Sequence, residues 1–82
     1  MKVIALTTPS CIKCKSVIPK LEELCDSHNV ELVVMNALQE GREYVTLYNL
    51  QAVPAFVVMT DDTNFLYTGD SAYYDLEDML QH

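Results

Sequence analysis

Two thiols three positions apart, Cys11 and Cys14 in the run Ser10-Cys11-Ile12-Lys13-Cys14-Lys15, are the residues of this chain best suited to chemistry. They stand where an apolar stretch, residues 3–6, gives way to a long amphipathic pattern of helical period. A thiol at a helix N-terminus faces unpaired backbone N–H groups and the positive end of the helix dipole, and both favour thiolate over thiol. A second thiol three residues on lies one helical turn away, within reach of a disulfide with the first. Such a pair suits reversible dithiol–disulfide exchange, in which the first sulfur attacks and the second resolves the mixed disulfide. Zinc sites use the same spacing, so it is the strand-to-helix setting that favours the redox reading.

The zinc alternative fails on distance. Cys11, Cys14, Cys25 and His28 form a C-x2-C-x10-C-x2-H series. Binding one metal would require the chain to fold back between residues 14 and 25, where no glycine occurs and the helical period persists. At ~1.5 Å per residue the two pairs lie on the order of 16 Å apart along one helix, against Zn–S bonds of ~2.3 Å. Cys25 then reads as a small core residue on the apolar face, and His28 as a helix-end residue favourable to the dipole.

Composition sets the frame around the pair. A chain of 82 residues reads as one domain, residues 1–82, which buries a little over ~60% of its unfolded surface and so has a thin core. Half of the residues are hydrophobic and 21% charged, which excludes disorder. No apolar run approaches the ~20 residues of a membrane span. The basic and apolar N-terminus is too short for a signal peptide and reads as the first strand. Three cysteines cannot all pair within one chain, which favours a reducing cytoplasm, where a C-x-x-C pair is usually catalytic or metal-binding. A net charge of −7 argues against nucleic acid binding. Three of the five basic residues, Lys13, Lys15 and Lys20, lie on or just after the cysteine motif. They form a solvated helix face that also lowers the pKa of Cys11.

The elements that must position the pair follow from period and punctuation. Residues 3–7 read as a strand buried on both faces, broken by Thr8-Pro9-Ser10. From Cys11 to about Ser27 the apolar positions Cys14, Val17, Ile18, Leu21, Leu24 and Cys25 fall on one helical face, with Pro19 expected to remove a hydrogen bond and kink the helix. His28-Asn29 ends it, and residues 30–35 form a second strand. A helix over about 40–48 carries Tyr44, Val45, Leu47 and Tyr48, and Asn49 sits where a left-handed residue would end it. Residues 53–59 form a third strand that opens at Val53-Pro54. Residues 61–64 form a hairpin turn and 65–67 a short fourth strand. A last helix is capped by Asp70 or Ser71, with Tyr74, Leu76, Met79 and Leu80 available to the core. The order is βαβαββα, with the first two strands parallel and the last two an antiparallel hairpin.

This arrangement resembles the thioredoxin fold in its short, glutaredoxin-size form: an α/β protein with a four-stranded mixed sheet flanked by helices. The motifs carrying the resemblance are Cys11 and Cys14 followed by Lys15, Pro19 five residues beyond the second cysteine, and Leu21-Glu22-Glu23-Leu24. With them go Val53-Pro54 at the mouth of the third strand and Gly69 after the fourth. The departures are Ser10 in place of a tryptophan, Ile12-Lys13 in place of Gly-Pro, and Ala5 where thioredoxins bury an aspartate that assists proton transfer from the second thiol. Either a solvent path or Lys13 then takes that proton, or exchange is slower. Thr8 stands where glutaredoxins keep a basic residue, and Ala52-Val53-Pro54 and Thr68-Gly69-Asp70 match the glutaredoxin pattern only in part.

The resemblance implies a protein disulfide reductase with no bound cofactor. In it Cys11 is the nucleophile, Cys14 the resolving thiol, and Ile12, Lys13, Val53 and a cis Pro54 shape the substrate surface. Its expected partners are a disulfide-containing protein, with ribonucleotide reductase a common acceptor in the family, and thioredoxin reductase or glutathione as electron donor. It is expected to act as a monomer, away from nucleic acid and membrane. The alternatives are a glutaredoxin-like enzyme coupled to glutathione and a redox-inactive binding module of the same fold. The five tyrosines read as core or rim, with Tyr73 or Tyr74 placed to line a substrate groove.

Overall fold

Alternation along the central strand sorts the molecule into two layers. In β1 (Lys2–Thr7) the residues Val3 and Ala5 face one side of the sheet and Ile4 and Leu6 the other, and all four are inaccessible to solvent. The molecule is seen in a computed structural model that describes residues 1–69 and 71–81. After β1 come α1 (Ile12–Ser27), β2 (Glu31–Asn36), α2 (Arg42–Tyr48), β3 (Ala55–Met59), β4 (Asn64–Thr68) and α3 (Ala72–Gln81).

The sheet order is β2-β1-β3-β4. β1 runs parallel to β2 and antiparallel to β3, and β4 returns antiparallel beside β3. The register pairs Val3 with Val58 and Ala5 with Phe56, so these four share a face. On that face they pack with Leu21, Leu24 and Cys25 of α1 and with Ala72 and Leu76 of α3. Ile4, Leu6, Ala55 and Val57 pack on the opposite face against Tyr44, Val45 and Tyr48 of α2. The expected element order is therefore met, with α1 and α3 on one face and α2 on the other.

Two asparagines end two helices. Asn29 has φ 56° and Asn49 φ 52°, the left-handed region that asparagine tolerates better than most residues. After α1, Val30 N–H donates to the Cys25 carbonyl at 2.8 Å and Asn29 N–H to that of Asp26 at 3.2 Å. Leu50 N–H to Val45 and Asn49 N–H to Thr46 repeat the pattern after α2, at 3.0 and 3.4 Å. These bonds satisfy carbonyls in the last turn of each helix before the chain turns into the next element.

Several details differ from the sequence expectation. The helix expected from residue 40 begins at Arg42, because Glu40 is used in the preceding turn, where its Oε1 accepts from Asn36 N–H at 2.9 Å. β3 begins at Ala55, two residues after Val53. The hairpin turn spans 60–63, closed by Thr60 N–H to the Thr63 carbonyl at 3.0 Å, which leaves Asn64 paired with Met59. Tyr74 does not face the core. Ala72 and Leu76 set the buried stripe of α3, and Tyr74, 64% exposed, lies off it. Of the two candidate caps for α3, Asp70 lies outside the described residues. Ser71 Oγ bonds Asp75 Oδ2 at 3.2 Å.

Candidate active site

Cys11 is the N-cap of α1. Its backbone is extended (φ −84°, ψ 106°), and its Sγ accepts the Cys14 N–H at 3.1 Å. Its own N–H donates to the Thr8 carbonyl at 3.1 Å, and its carbonyl accepts from Lys15 N–H at 3.3 Å. The sulfur thus occupies the place a serine or aspartate oxygen takes in an ordinary cap. The first turn of α1 contains no acidic residue and carries Lys13, with Lys15 next to it. Positive charge there opposes the helix dipole and costs about 0.3–1 kcal/mol per residue in helix stability. The same charge stabilises a thiolate.

Cys14 is disulfide-bonded to Cys11, with Cα atoms 5.2 Å apart. It is 2% exposed, whereas Ile12 between the two is 82% exposed. Cys14 lines a cleft of about 410 Å³ with Thr7, Thr8, Lys15 and Asn36. At the centre of the sheet Ala5 is fully buried opposite Phe56, so no carboxylate stands behind Cys14 at that position. Pro9, Ile18 and Pro19 complete its lining, and the cleft opens beside the buried thiol.

The third side of the site is the segment 53–54. The Val53–Pro54 peptide is cis, as the resemblance implies. Pro54 is buried, and its carbonyl accepts from Gly69 N–H at 3.0 Å. The β1–β3 ladder runs from Leu6↔Ala55 to Lys2↔Met59, so Val53 lies just beyond its end. Val53 borders a small apolar cleft of about 200 Å³ with Leu38, Val45 and Leu50 on the α2 side. Pro54 borders a second groove, between α1 and α3, that also holds Lys13.

Cys11, Cys14, Ile12 and Lys13 share one helix start, and Val53 and Pro54 bound the two grooves beside it. Lys20, Ser16 and Tyr74 also line the α1–α3 groove, and Lys20 and Ser16 are not among the site residues expected from the sequence. The spacing of residues 13, 16, 17 and 20 on one helical face was the available signal. Cys25 is 1% exposed, and burial pushes its thiol above the usual range. Among the described residues no cluster of three or more His, Cys, Asp or Glu side chains is placed to hold a metal ion. No helix among them is long and apolar enough to cross a membrane.

Residues 1–82 match the Thioredoxin family, and the chain belongs to it. Thioredoxin 1 from the thermophilic eubacterium Thermosipho africanus superposes with a TM-score of 0.86 over 99% of this chain and 91% of that one, at 13% identity. Fasciola hepatica thioredoxin gives 0.82 over 98% and 77%, at 23% identity. Spinach chloroplast thioredoxin F gives 0.81 over 98% and 67%, at 24% identity. At such identities the likeness shows the fold, which is the thioredoxin fold. No curated protein matches the chain by sequence. A thioredoxin domain with a closed cysteine pair supports thiol–disulfide oxidoreductase chemistry.

Proposed function

We propose that this protein reduces disulfides in other proteins through Cys11 and Cys14. The observation that carries the reading is the capping geometry, with Cys11 Sγ held on the Cys14 amide at the positive end of α1. Cys11 attacks as thiolate. A bond forms between its Sγ and one substrate sulfur, the substrate disulfide breaks, and the other substrate sulfur leaves as thiolate and takes up a proton. Cys14 then gives its proton to solvent through the cleft it lines with Lys15 and Asn36. Its sulfur attacks that of Cys11 and releases the second substrate thiolate. Two electrons pass to the substrate, and the protein ends as the Cys11–Cys14 disulfide. An external dithiol or glutathione must return the electrons.

In this reading Ile12 and Val53 give the substrate apolar contact, Pro54 shapes the surface, and Lys13 with Lys15 lowers the pKa of Cys11. A peptide lying across the site can pair with the Val53 backbone at the open end of the ladder. The protein works as a monomeric single domain, and its odd cysteine count suits the cytoplasm. Ribonucleotide reductase is among the acceptors that this family would lead one to try.

The test is turnover of a protein disulfide by the intact chain with thioredoxin reductase and NADPH, and separately with glutathione and its reductase. Faster turnover with thioredoxin reductase is expected. Turnover with glutathione alone would make the protein glutaredoxin-like, and none with either donor would make it a redox-inactive binding module.

A further inference from the structure

Beyond Lys13 and Pro54, the groove between α1 and α3 has a lining to which disulfide exchange gives no role. Ser16 and Lys20 of α1 face Tyr73 and Tyr74 of α3 across a space of about 220 Å³, with Pro54 and Gly69 at its head. The side-chain polar groups here are one ammonium and three hydroxyls, joined near the cysteine pair by the ammonium of Lys13. All of them can donate, and no carboxylate lines the groove among the described residues. The cleft against β2 on the far side of α1 is the reverse, lined by Glu22, Glu23 and Asp26. Glu23 lies at the boundary, since it also borders Lys20 and Tyr73 beyond the end of the groove.

Two further observations give the groove a preference. Tyr74 is held outward, 64% exposed, edge-on to Tyr73 with ring centroids 5.6 Å apart and planes at 82°. Burial, and then the carboxylates of Glu77 and Glu23, push the Tyr73 hydroxyl above its usual range, so it is a donor at neutral pH as any tyrosine is. The whole chain carries −7, and Lys2 at the far end of the sheet is engaged by Glu31 at 3.6 Å. Three of the five basic residues lie on α1, so an acidic segment meets favourable charge beside the cysteines and repulsion over most of the remaining surface.

We propose that this groove is a specificity subsite for protein substrates, receiving an acidic side chain that follows or precedes the substrate cysteine on the α3 side. The proposal rests on the oxidoreductase reading above and names its preferred substrate class. Lys13 and Lys20 are seven residues apart, about 10 Å along the helix. An extended peptide at ~3.3 Å per residue crosses that length in roughly three residues. The favoured Asp or Glu therefore lies about two to four residues from the substrate cysteine.

The test uses three disulfide-linked peptides that are identical except for Glu, Gln or Lys three residues from the cysteine. Second-order rates of their reduction by the reduced protein are measured at low and high salt. The Glu peptide should react at least about fivefold faster than the Lys peptide at low salt, and the ratio should shrink in salt. Lys20→Glu should bring the ratio to one or invert it, and Tyr74→Ser should lower it. Arg42→Glu makes the same charge change on α2 and should leave the ratio as it is. Lys20, Tyr74 and Arg42 are all exposed, so the variants should fold. Equal rates for the three peptides, or an equal drop for Lys20→Glu and Arg42→Glu, would overturn the subsite while leaving the oxidoreductase reading intact. Failure to reduce any peptide would remove the oxidoreductase reading itself. If Lys20→Glu slowed only a mixed disulfide with glutathione, the groove would be a site for that tripeptide's carboxylates and the proposal would be wrong.

Discussion

The amide of Gly69 donates to the carbonyl of Pro54 at 3.0 Å, which fastens the loop after β4 to the segment beside the cysteine pair. Gly69 holds that position with φ 79°, a conformation that costs an L-residue roughly 1–2 kcal/mol. A Cβ there would meet nothing within 4 Å, so the cost of Gly69→Ala is backbone strain alone. Denaturant titration should show a loss of about that size. Peptide reduction should slow while alkylation of Cys11 by a small reagent proceeds normally. An unchanged midpoint would mean that the loop adapts at no cost.

Gly41 poses the opposite problem. Its φ of −89° suits any residue, but a Cβ would stand 2.5 Å from Leu6 Cδ2, 3.0 Å from the Asn36 carbonyl oxygen and 3.2 Å from Met35 Cβ. Leu6 is fully buried and Asn36 O is backbone, so neither moves away freely. Gly41→Ala should destabilise the fold by overpacking, by about 1–3 kcal/mol. Thermal or urea unfolding would read it, and a midpoint equal to the parent's would show that the α2 approach has slack.

The three thiols should separate by reactivity. In the reduced protein at neutral pH, Cys11 should be alkylated first, with an apparent pKa below the free value of ~8.5. Cys14, 2% exposed, should lag. Cys25, buried and with its thiol pushed up by desolvation, should label only as the protein unfolds. Mass spectrometry of labelled peptides with and without denaturant would check the order. Fast labelling of Cys25 in the native protein would contradict the packing of α1.

Glu40 should leave a signature in acid. The Asn36 amide, and then its own, hold its carboxyl below the usual range. A lowered folded pKa contributes stability above the unfolded value of ~4.3, and that contribution disappears as pH falls through the folded pKa. Glu40→Gln keeps an acceptor for Asn36 but loses the charge. Its urea midpoint should lie slightly below the parent's at pH 7, and the two should converge in strong acid. A constant gap at all pH values would place the effect outside this titration.

What the sequence revealed and what it hid follow one division. The order of elements, the cap at Cys11 and the left-handed end at Asn49 are local features, set by residue type and a period within a few positions. The core faces of α1 were legible for the same reason. Tyr74 was misplaced because an aromatic near a helix start looks like core, when the small Ala72 is the residue that sets the buried stripe of α3. The groove of Ser16, Lys20, Tyr73 and Tyr74 was not legible as a unit. It exists only because α3 docks beside α1 on one face of the sheet, and no period within either helix encodes that approach. The bond between Gly69 and Pro54 likewise joins residues that neither a turn nor a helix brings together.

The burial of Cys25 has a practical consequence. Eleven residues along α1 from Cys14 and walled into the core, this sulfur cannot reach an adduct formed at Cys11. Cys14→Ser would remove the only internal route of release, while the amide at position 14 still caps Cys11, since that hydrogen bond is made by backbone. Whatever the protein attacks would then stay attached to it. Recovered from cells under non-reducing conditions, such a variant would bring out its own targets by covalent capture.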